Sequence, residues 1–222
     1  MDIRIDLDAV GRHVVLLAGV GQDASSWDAA VSLLPDGVVP HPLAVSDLVS
    51  SDERFTMAAA TSALDGIVDS LGIDGVVVVG LSMGAMLAMA YTIAHPDRVR
   101  GLVVSAPQVR PSPAIMLFEQ AAVRLLPEGW LGLPADLGRA RVLEILKVTS
   151  RIDFRRSLPD IQVPVLAICG SKDTANLAAA RAVADGVPRG RLEIVEGGGH
   201  ELNTERPADF ARLVSGFVDE VS

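Results

Sequence analysis

The chain carries one cysteine, Cys169, among 222 residues, so no internal disulfide can hold it together. That cysteine sits inside the apolar run Val165 to Cys169 and reads as a small buried hydrophobe. Positive charge is also in short supply: 19 Lys and Arg stand against 28 Asp and Glu, a net charge of −9. The basic residues are scattered with no polybasic run. Nucleic acid is therefore excluded as a partner, because phosphate binding needs a basic face. No apolar run is long enough to span a bilayer, so no membrane partner is expected either. The N-terminus lacks the basic and apolar regions of a secretory signal, and a cytoplasmic protein is expected. Internal repeats and low-complexity tracts are missing too. Half of the residues are apolar, enough for one sizeable core and against disorder.

What is present is an alternation of apolar strands and helical patterns. Ile3 to Leu7 alternates as a half-buried edge strand, and Val14 to Leu17 is an unbroken apolar strand. Ser25 or Ser26 is the candidate cap of a helix reaching Leu34. Val38–Val39 and Leu43 to Val45 suggest a short strand broken by Pro40 and Pro42. A helix over Thr56 to Leu71 precedes the strand Val76 to Val79; an almost wholly apolar helix, Ala85 to Ala94, follows it, then a strand over Val99 to Ser105. The alternation resumes with Val163 to Cys169, Asn176 to Ala184, Leu192 to Val195 and a last helix from Pro207. Repeated strand–helix units of this kind build a mostly parallel, doubly wound α/β sheet covered by helices on both faces. Between Val109 and Pro159 prolines cluster and two helical patterns lack strands of their own. The expected division is a core of 1–108 and 160–222 with a helical insertion over 109–159.

Gly80-Leu81-Ser82-Met83-Gly84 joins the valine strand to the apolar helix. A serine at the apex of such a turn is forced outward in a strained backbone that small neighbours permit. Its hydroxyl is a poor nucleophile unless a base takes its proton, and histidine is suited to that task. Of the four histidines, only His200 lies in a glycine-rich turn after a strand, at the strand ends that carry ligands in parallel sheets. His13, His41 and His95 read as surface or satisfied core residues. Asp173, after the preceding strand, supplies a carboxylate to orient the imidazole. The order Ser82, Asp173, His200 fits one of the three common serine-triad orders. A tetrahedral oxyanion needs backbone donors. Met83 is one by its position after the serine, and Val20, between Gly19 and Gly21 in the turn after the first apolar strand, is the other candidate.

These segments resemble the α/β-hydrolase fold superfamily, of the small esterase, enol-lactonase and cofactor-free haloperoxidase type. The resemblance runs through Leu17 to Gln22, Gly80 to Gly84, His95 to Val99, Val163 to Val165 with Gly170 to Asp173, and Gly198 to Pro207. It implies a hydrolase that needs no metal and no cofactor and acts on a small ester-like molecule: a carboxylic ester, lactone or thioester. Carbon–carbon hydrolysis, perhydrolysis and acyl transfer by the same residues stay open, as does a non-catalytic ligand-binding protein. The resemblance also implies that 109–159 is a cap over the site. Its Ile115, Phe118, Trp130, Leu131, Leu133 and Leu143 favour an apolar group, and Gly19, Phe118, Trp130 and Leu131 are the expected pocket residues. Two departures stand out. Ala18-Gly19 replaces the usual His-Gly, and Pro40-His41-Pro42 replaces an aspartate and a glycine-rich loop.

Overall fold

The structure, a computed structural model, describes residues 12–49, 54–125 and 138–222. The predicted strand Ile3 to Leu7 lies outside them. Among the described residues six strands form one sheet: β1 (Arg12–Leu17), β2 (Val38–Leu43), β3 (Val76–Leu81), β4 (Val99–Ser105), β5 (Val165–Gly170) and β6 (Gly190–Val195). Their order is β2-β1-β3-β4-β5-β6, and every pairing is parallel. The chain runs outward from β1 to β2, then returns past β1 to β3 and proceeds to the other edge. Direction of travel thus reverses between β1 and β3, whose carboxyl ends open the crevice where parallel sheets bind ligands.

Strand alternation sorts the core into two layers. Val15, Leu17, Val76 and Val78 face α2 (Met57–Ser70), α3 (Met83–Ala94) and α6 (Thr174–Gly186). Val14, Leu16, Val77 and Val79 face α1 (Asp28–Val31) and α8 (Pro207–Val221), where Trp27, Phe210 and Phe217 are fully buried. In α3, Met83 to Met89, Tyr91 and Thr92 are all buried, as an all-round apolar helix requires. Between β4 and β5 lie α4 (Pro113–Leu125) and α5 (Arg139–Thr149), and a single turn, α7 (Leu202–Glu205), precedes α8.

Two local expectations are corrected. The strand that Pro40 and Pro42 were expected to break is continuous over Val38–Leu43. The Gly37 and Leu43 carbonyls accept from the Arg12 and Ala18 N–H groups at 2.9 and 3.0 Å. Odd-numbered residues therefore turn their backbone groups toward β1, and both prolines turn their missing N–H toward the outer side. That is the position a strand proline needs, on the outermost strand among the described residues. The helix expected to run to Leu34 is a 3-10 turn, Ala24–Trp27, followed by the one turn of α1. Its cap is Asp23 rather than Ser25 or Ser26. The Asp23 carboxylate accepts the Ser25 N–H at 2.9 Å and the Ser25 hydroxyl at 2.5 Å, so the serine is spent as a donor.

His13 and His41 meet across β1 and β2. Their rings stack 5.1 Å apart, and His13 Nδ1 and His41 Nε2 lie 2.9 Å from each other. One ring must donate and the other accept, so the contact fails when both are protonated. Burial, then the Arg100 guanidinium, holds His13 below the ordinary imidazole range. Burial, then His13 itself, does the same to His41. The unfolded chain therefore binds more protons than the folded one near and below the ordinary value of 6.5. Stability from this pair is present above that value and is lost as pH falls below it. Thermal melts at pH 7.5 and 5.5 are expected to show a drop in Tm that the double variant His13→Gln/His41→Gln reduces. An equal drop in both proteins would refute this assignment.

Candidate active site

The turn from β3 to α3 holds Ser82 at φ 54°, ψ −110°, a backbone conformation that L residues rarely adopt. The neighbouring backbone pins it there. Ser82 N–H donates to the Ser105 carbonyl at 2.9 Å, and Met86 N–H donates to the Ser82 carbonyl at 3.2 Å. Gly80 and Gly84 make the turn possible. A Cβ on Gly80 would lie 2.3 Å from the Gly84 carbonyl oxygen, and one on Gly84 would lie 2.1 Å from that of Leu17. The strand, the helix and β1 are therefore in backbone contact around the serine.

The turn after β1 closes over the same spot. A Cβ on Gly19 would sit 3.6 Å from the Ser82 Cβ. Val20 and Gly21 line the cavity beside Ser82 and Met83. Asn203, fully buried in α7, ties this turn to the His200 loop: its Nδ2 donates to Gln22 Oε1 at 3.3 Å and to the Ser26 carbonyl at 3.1 Å.

Asp173 and His200 follow β5 and β6. The loops that carry them are joined by Ser171 N–H to the Val195 carbonyl and Lys172 N–H to the Gly198 carbonyl, both at 2.9 Å. His200 Nδ1 lies 2.8 Å from Asp173 Oδ2. The carboxylate side chain is 6% exposed and the imidazole 43%, so the carboxylate is buried behind an accessible ring. Asp173 occupies the cap position of α6 but its side chain does not cap that helix; it is turned to His200 instead. Glu205 braces the histidine loop by accepting the Gly199 and Glu201 N–H groups at 2.8 and 3.1 Å. Burial pushes the Asp173 carboxyl up. Hydrogen bonds from His200 and Asn176 more than offset that, so it stays below the ordinary carboxylate range. Cys169, buried behind this loop, has its thiol pushed up to about 11 by burial and by the Asp173 charge. It is an inert, protonated core residue.

Asn176 went unnoticed in the sequence, although its position three residues into the helix after Asp173 was visible there. It is 5% exposed, and its Nδ2 lies 2.9 Å from each Asp173 carboxylate oxygen.

Ser82, His200 and Asp173 all border one cavity of about 470 Å³. Met86 of α3, Met116 and Val123 of α4, and Val142 and Leu146 of α5 form its apolar wall. Gln108, Thr149 and Asn176 add polar atoms, of which the Thr149 hydroxyl is already spent on the Ile145 and Leu146 carbonyls at 3.1 and 3.2 Å. The apolar lining was expected from other residues. Trp130, Leu131 and Leu133 lie outside the described residues, as do the side chains of Ile115 and Phe118 within α4. Gly19 does not border the cavity; a Cβ there would make only ordinary contact, 3.6 Å from the Leu81 carbonyl oxygen and from the Ser82 Cβ. Among the described residues no three His, Cys, Asp or Glu side chains gather as a metal-ligand set.

The profile described as "Alpha/beta hydrolase family" matches residues 14–213, and the chain belongs to that family. A 2-hydroxy-6-oxononadienedioate/2-hydroxy-6-oxononatrienedioate hydrolase of Pseudomonas putida is 26% identical, over 96% of this chain and 90% of that protein. A Bacillus subtilis (strain 168) protein provisionally named 2-succinyl-6-hydroxy-2,4-cyclohexadiene-1-carboxylate synthase is also 26% identical, over 94% and 90%. Among solved structures, a thermophilic esterase from Thermogutta terrifontis superposes with a TM-score of 0.82 at 22% identity, covering 96% of this chain and 91% of that one. The six-stranded parallel sheet with flanking helices is the α/β-hydrolase fold, and the protein is an enzyme of the hydrolase type.

Proposed function

We propose that this α/β-fold hydrolase is a serine esterase that cleaves esters of small to medium, uncharged acyl groups through an acyl-enzyme on Ser82. One observation carries the reading. A strained serine and an imidazole–carboxylate pair 2.8 Å apart border the same apolar cavity. In this reading His200 Nδ1 is engaged by Asp173, and Nε2 takes the Ser82 proton as the oxygen attacks the ester carbonyl. The N–H groups of Val20 and Met83 hold the oxyanion. His200 then gives the proton to the departing alkoxide, which leaves as the alcohol. Water, deprotonated by His200, cleaves the acyl-enzyme to the acid and restores Ser82. Asp173 stays ionised throughout and stabilises the imidazolium. The insertion over 109–159 acts as a cap whose helices supply the acyl-binding wall.

The uncharged acyl group follows from the lining. The names of both relatives denote dicarboxylates. A buried carboxylate needs a cation or several donors to replace its water. Among the described lining residues there is no Lys or Arg, and Asp173 already places a negative charge at the site. The five Met, Val and Leu side chains of the helical wall favour a hydrocarbon in that space.

The test is a panel of p-nitrophenyl esters together with a fluorophosphonate probe. Butyrate and hexanoate esters are expected to be turned over with kcat/KM at least about tenfold above the hemiglutarate ester, which adds one carboxylate at similar length. The probe is expected to label wild-type protein at Ser82. Preference for the hemiglutarate would overturn the acyl assignment. Absence of labelling in folded protein would overturn the serine mechanism. Activity confined to carbon–carbon cleavage of a dioate would favour the relative from Pseudomonas putida as the guide.

A further inference from the structure

We propose that Asn176 is a positioning residue of this site, holding the Asp173 carboxylate toward His200, and that Gln108 anchors the other end of the Asn176 amide. The proposal rests on the serine-esterase reading for its kinetic consequences and on geometry for its structural ones.

The geometry is a chain of amides that starts at the substrate cavity. Gln108, half-buried on the loop after β4, lines the cavity and donates through Nε2 to Asn176 Oδ1 at 2.8 Å. Asn176 then presents Nδ2 to both oxygens of Asp173 at 2.9 Å each. The same Nδ2 lies 3.1 Å from His200 Nδ1. Two donors, Asn176 Nδ2–H and His200 Nδ1–H, thus converge on Asp173 Oδ2.

The partners determine which way the amide faces. Reversed, Asn176 would aim its carbonyl oxygen at a carboxylate, acceptor against acceptor, and its NH₂ at the NH₂ of Gln108. The first contact would be repulsive whatever Gln108 does, so the Asp173 carboxylate sets the orientation and the Gln108 N–H holds the carbonyl end. A buried side chain with every polar atom committed is poorly free to rotate. Asp173 is therefore held in the plane that receives the imidazole, not merely near it.

The amide also has an electrostatic effect. Its two N–H dipoles draw on the Asp173 charge and lie close to His200 Nδ1, so they oppose formation of the imidazolium. Loss of the amide makes His200 more basic, and more of it is protonated and unable to act as a base as pH falls. Other titratable groups facing this point do not change between variants. The Cys169 thiol lies behind the carboxylate, 3.7 Å from the Asp173 backbone oxygen. Glu205 caps the histidine loop from below, and Lys172 and Glu201 are exposed neighbours in sequence.

Asn176→Leu removes both donors while keeping the shape, and Asn176→Ser keeps one donor. On p-nitrophenyl butyrate kcat/KM of the Leu variant is expected to fall about tenfold at pH 8 and about thirtyfold at pH 5.5, mostly through kcat. The Ser variant is expected to fall in between, which carries the test should the Leu variant melt below assay temperature. A role in folding alone would lower activity by one factor at both pH values, or lower Tm with no kinetic change, and either outcome overturns the proposal. The proton NMR titration of His200, assigned with His200→Gln, needs no turnover. A higher midpoint in Asn176→Leu and Asn176→Ser is expected, and an unchanged midpoint overturns the proposal. A raised midpoint in a protein that fluorophosphonate does not label would overturn the serine reading while leaving the positioning role of Asn176 in place.

Discussion

Replacing Ser82 with alanine is expected to lower kcat/KM for p-nitrophenyl butyrate by about 10⁴- to 10⁶-fold and to abolish fluorophosphonate labelling. That range corresponds to about 5–8 kcal/mol of lost transition-state stabilisation. The size of the effect comes from the way the site divides its labour. In the proposed mechanism His200 and Asp173 act on the acyl-enzyme route that begins at the serine oxygen, so removing that oxygen cancels most of their contribution as well. In that reading what remains is binding and the proposed oxyanion donors, acting on direct attack by water. Stability tells a different story. Backbone hydrogen bonds hold Ser82 at φ 54°, so alanine is expected to inherit the strain and the melting temperature of Ser82→Ala should stay close to wild type. Ser82→Gly relieves the strain and is expected to be about 1 kcal/mol more stable yet equally inactive. Denaturant unfolding beside the kinetic assay would separate these effects. Wild-type turnover by Ser82→Ala would remove the serine mechanism altogether.

The parts of the fold that were legible in the sequence are those where one physical requirement dominates. A strand buried on both faces can only be a run of apolar β-branched residues, so Val76 to Val79 marked β3. The glycines around Ser82 marked the turn because no other residue fits between three backbones. The β2 edge was misread because Pro40 and Pro42 signal a broken strand unless their phase is known. Spaced by two, they both turn to the side that β1 does not use, and that phase depends on the pairing partner. The cavity wall was only partly legible for a similar reason. Helix α4 carries apolar residues on more than one face: Met116 and Val123 line the cavity, while Leu117 and Leu125 are exposed. Hydrophobicity alone could not choose among them. Asn176 escaped notice because an asparagine in the first turn of a helix is ordinary. Its importance comes from Gln108, 68 residues earlier in the chain, and from His200, 24 residues later.

Gly84→Ala is expected to be the most damaging single methyl group that can be added to this protein, costing about 3–5 kcal/mol of stability and about 10²- to 10³-fold in kcat. The new Cβ would lie 2.1 Å from the Leu17 carbonyl oxygen, 2.6 Å from its carbon and 2.7 Å from the Ala18 carbonyl oxygen. All three are backbone atoms at the end of β1, so no side-chain rotation relieves the clash. Helix α3 must move away from β1 by roughly an ångström to restore ordinary contact. That motion separates the two halves of the proposed oxyanion hole, because the Met83 N–H belongs to α3 and the Val20 N–H to the turn that Leu17 and Ala18 lead into. Stability and catalysis should therefore fail together, with kcat reduced more than KM is raised. Gly66→Ala in α2 and Gly216→Ala in α8 serve as controls. A Cβ at either position meets nothing within 4 Å, and each is expected to raise stability by about 0.5–1 kcal/mol through helix propensity and leave kcat unchanged. If Gly84→Ala behaved as these do, the close approach of α3 to β1 would not be what holds the oxyanion donors together, and the Val20 and Met83 assignment would lose its structural basis.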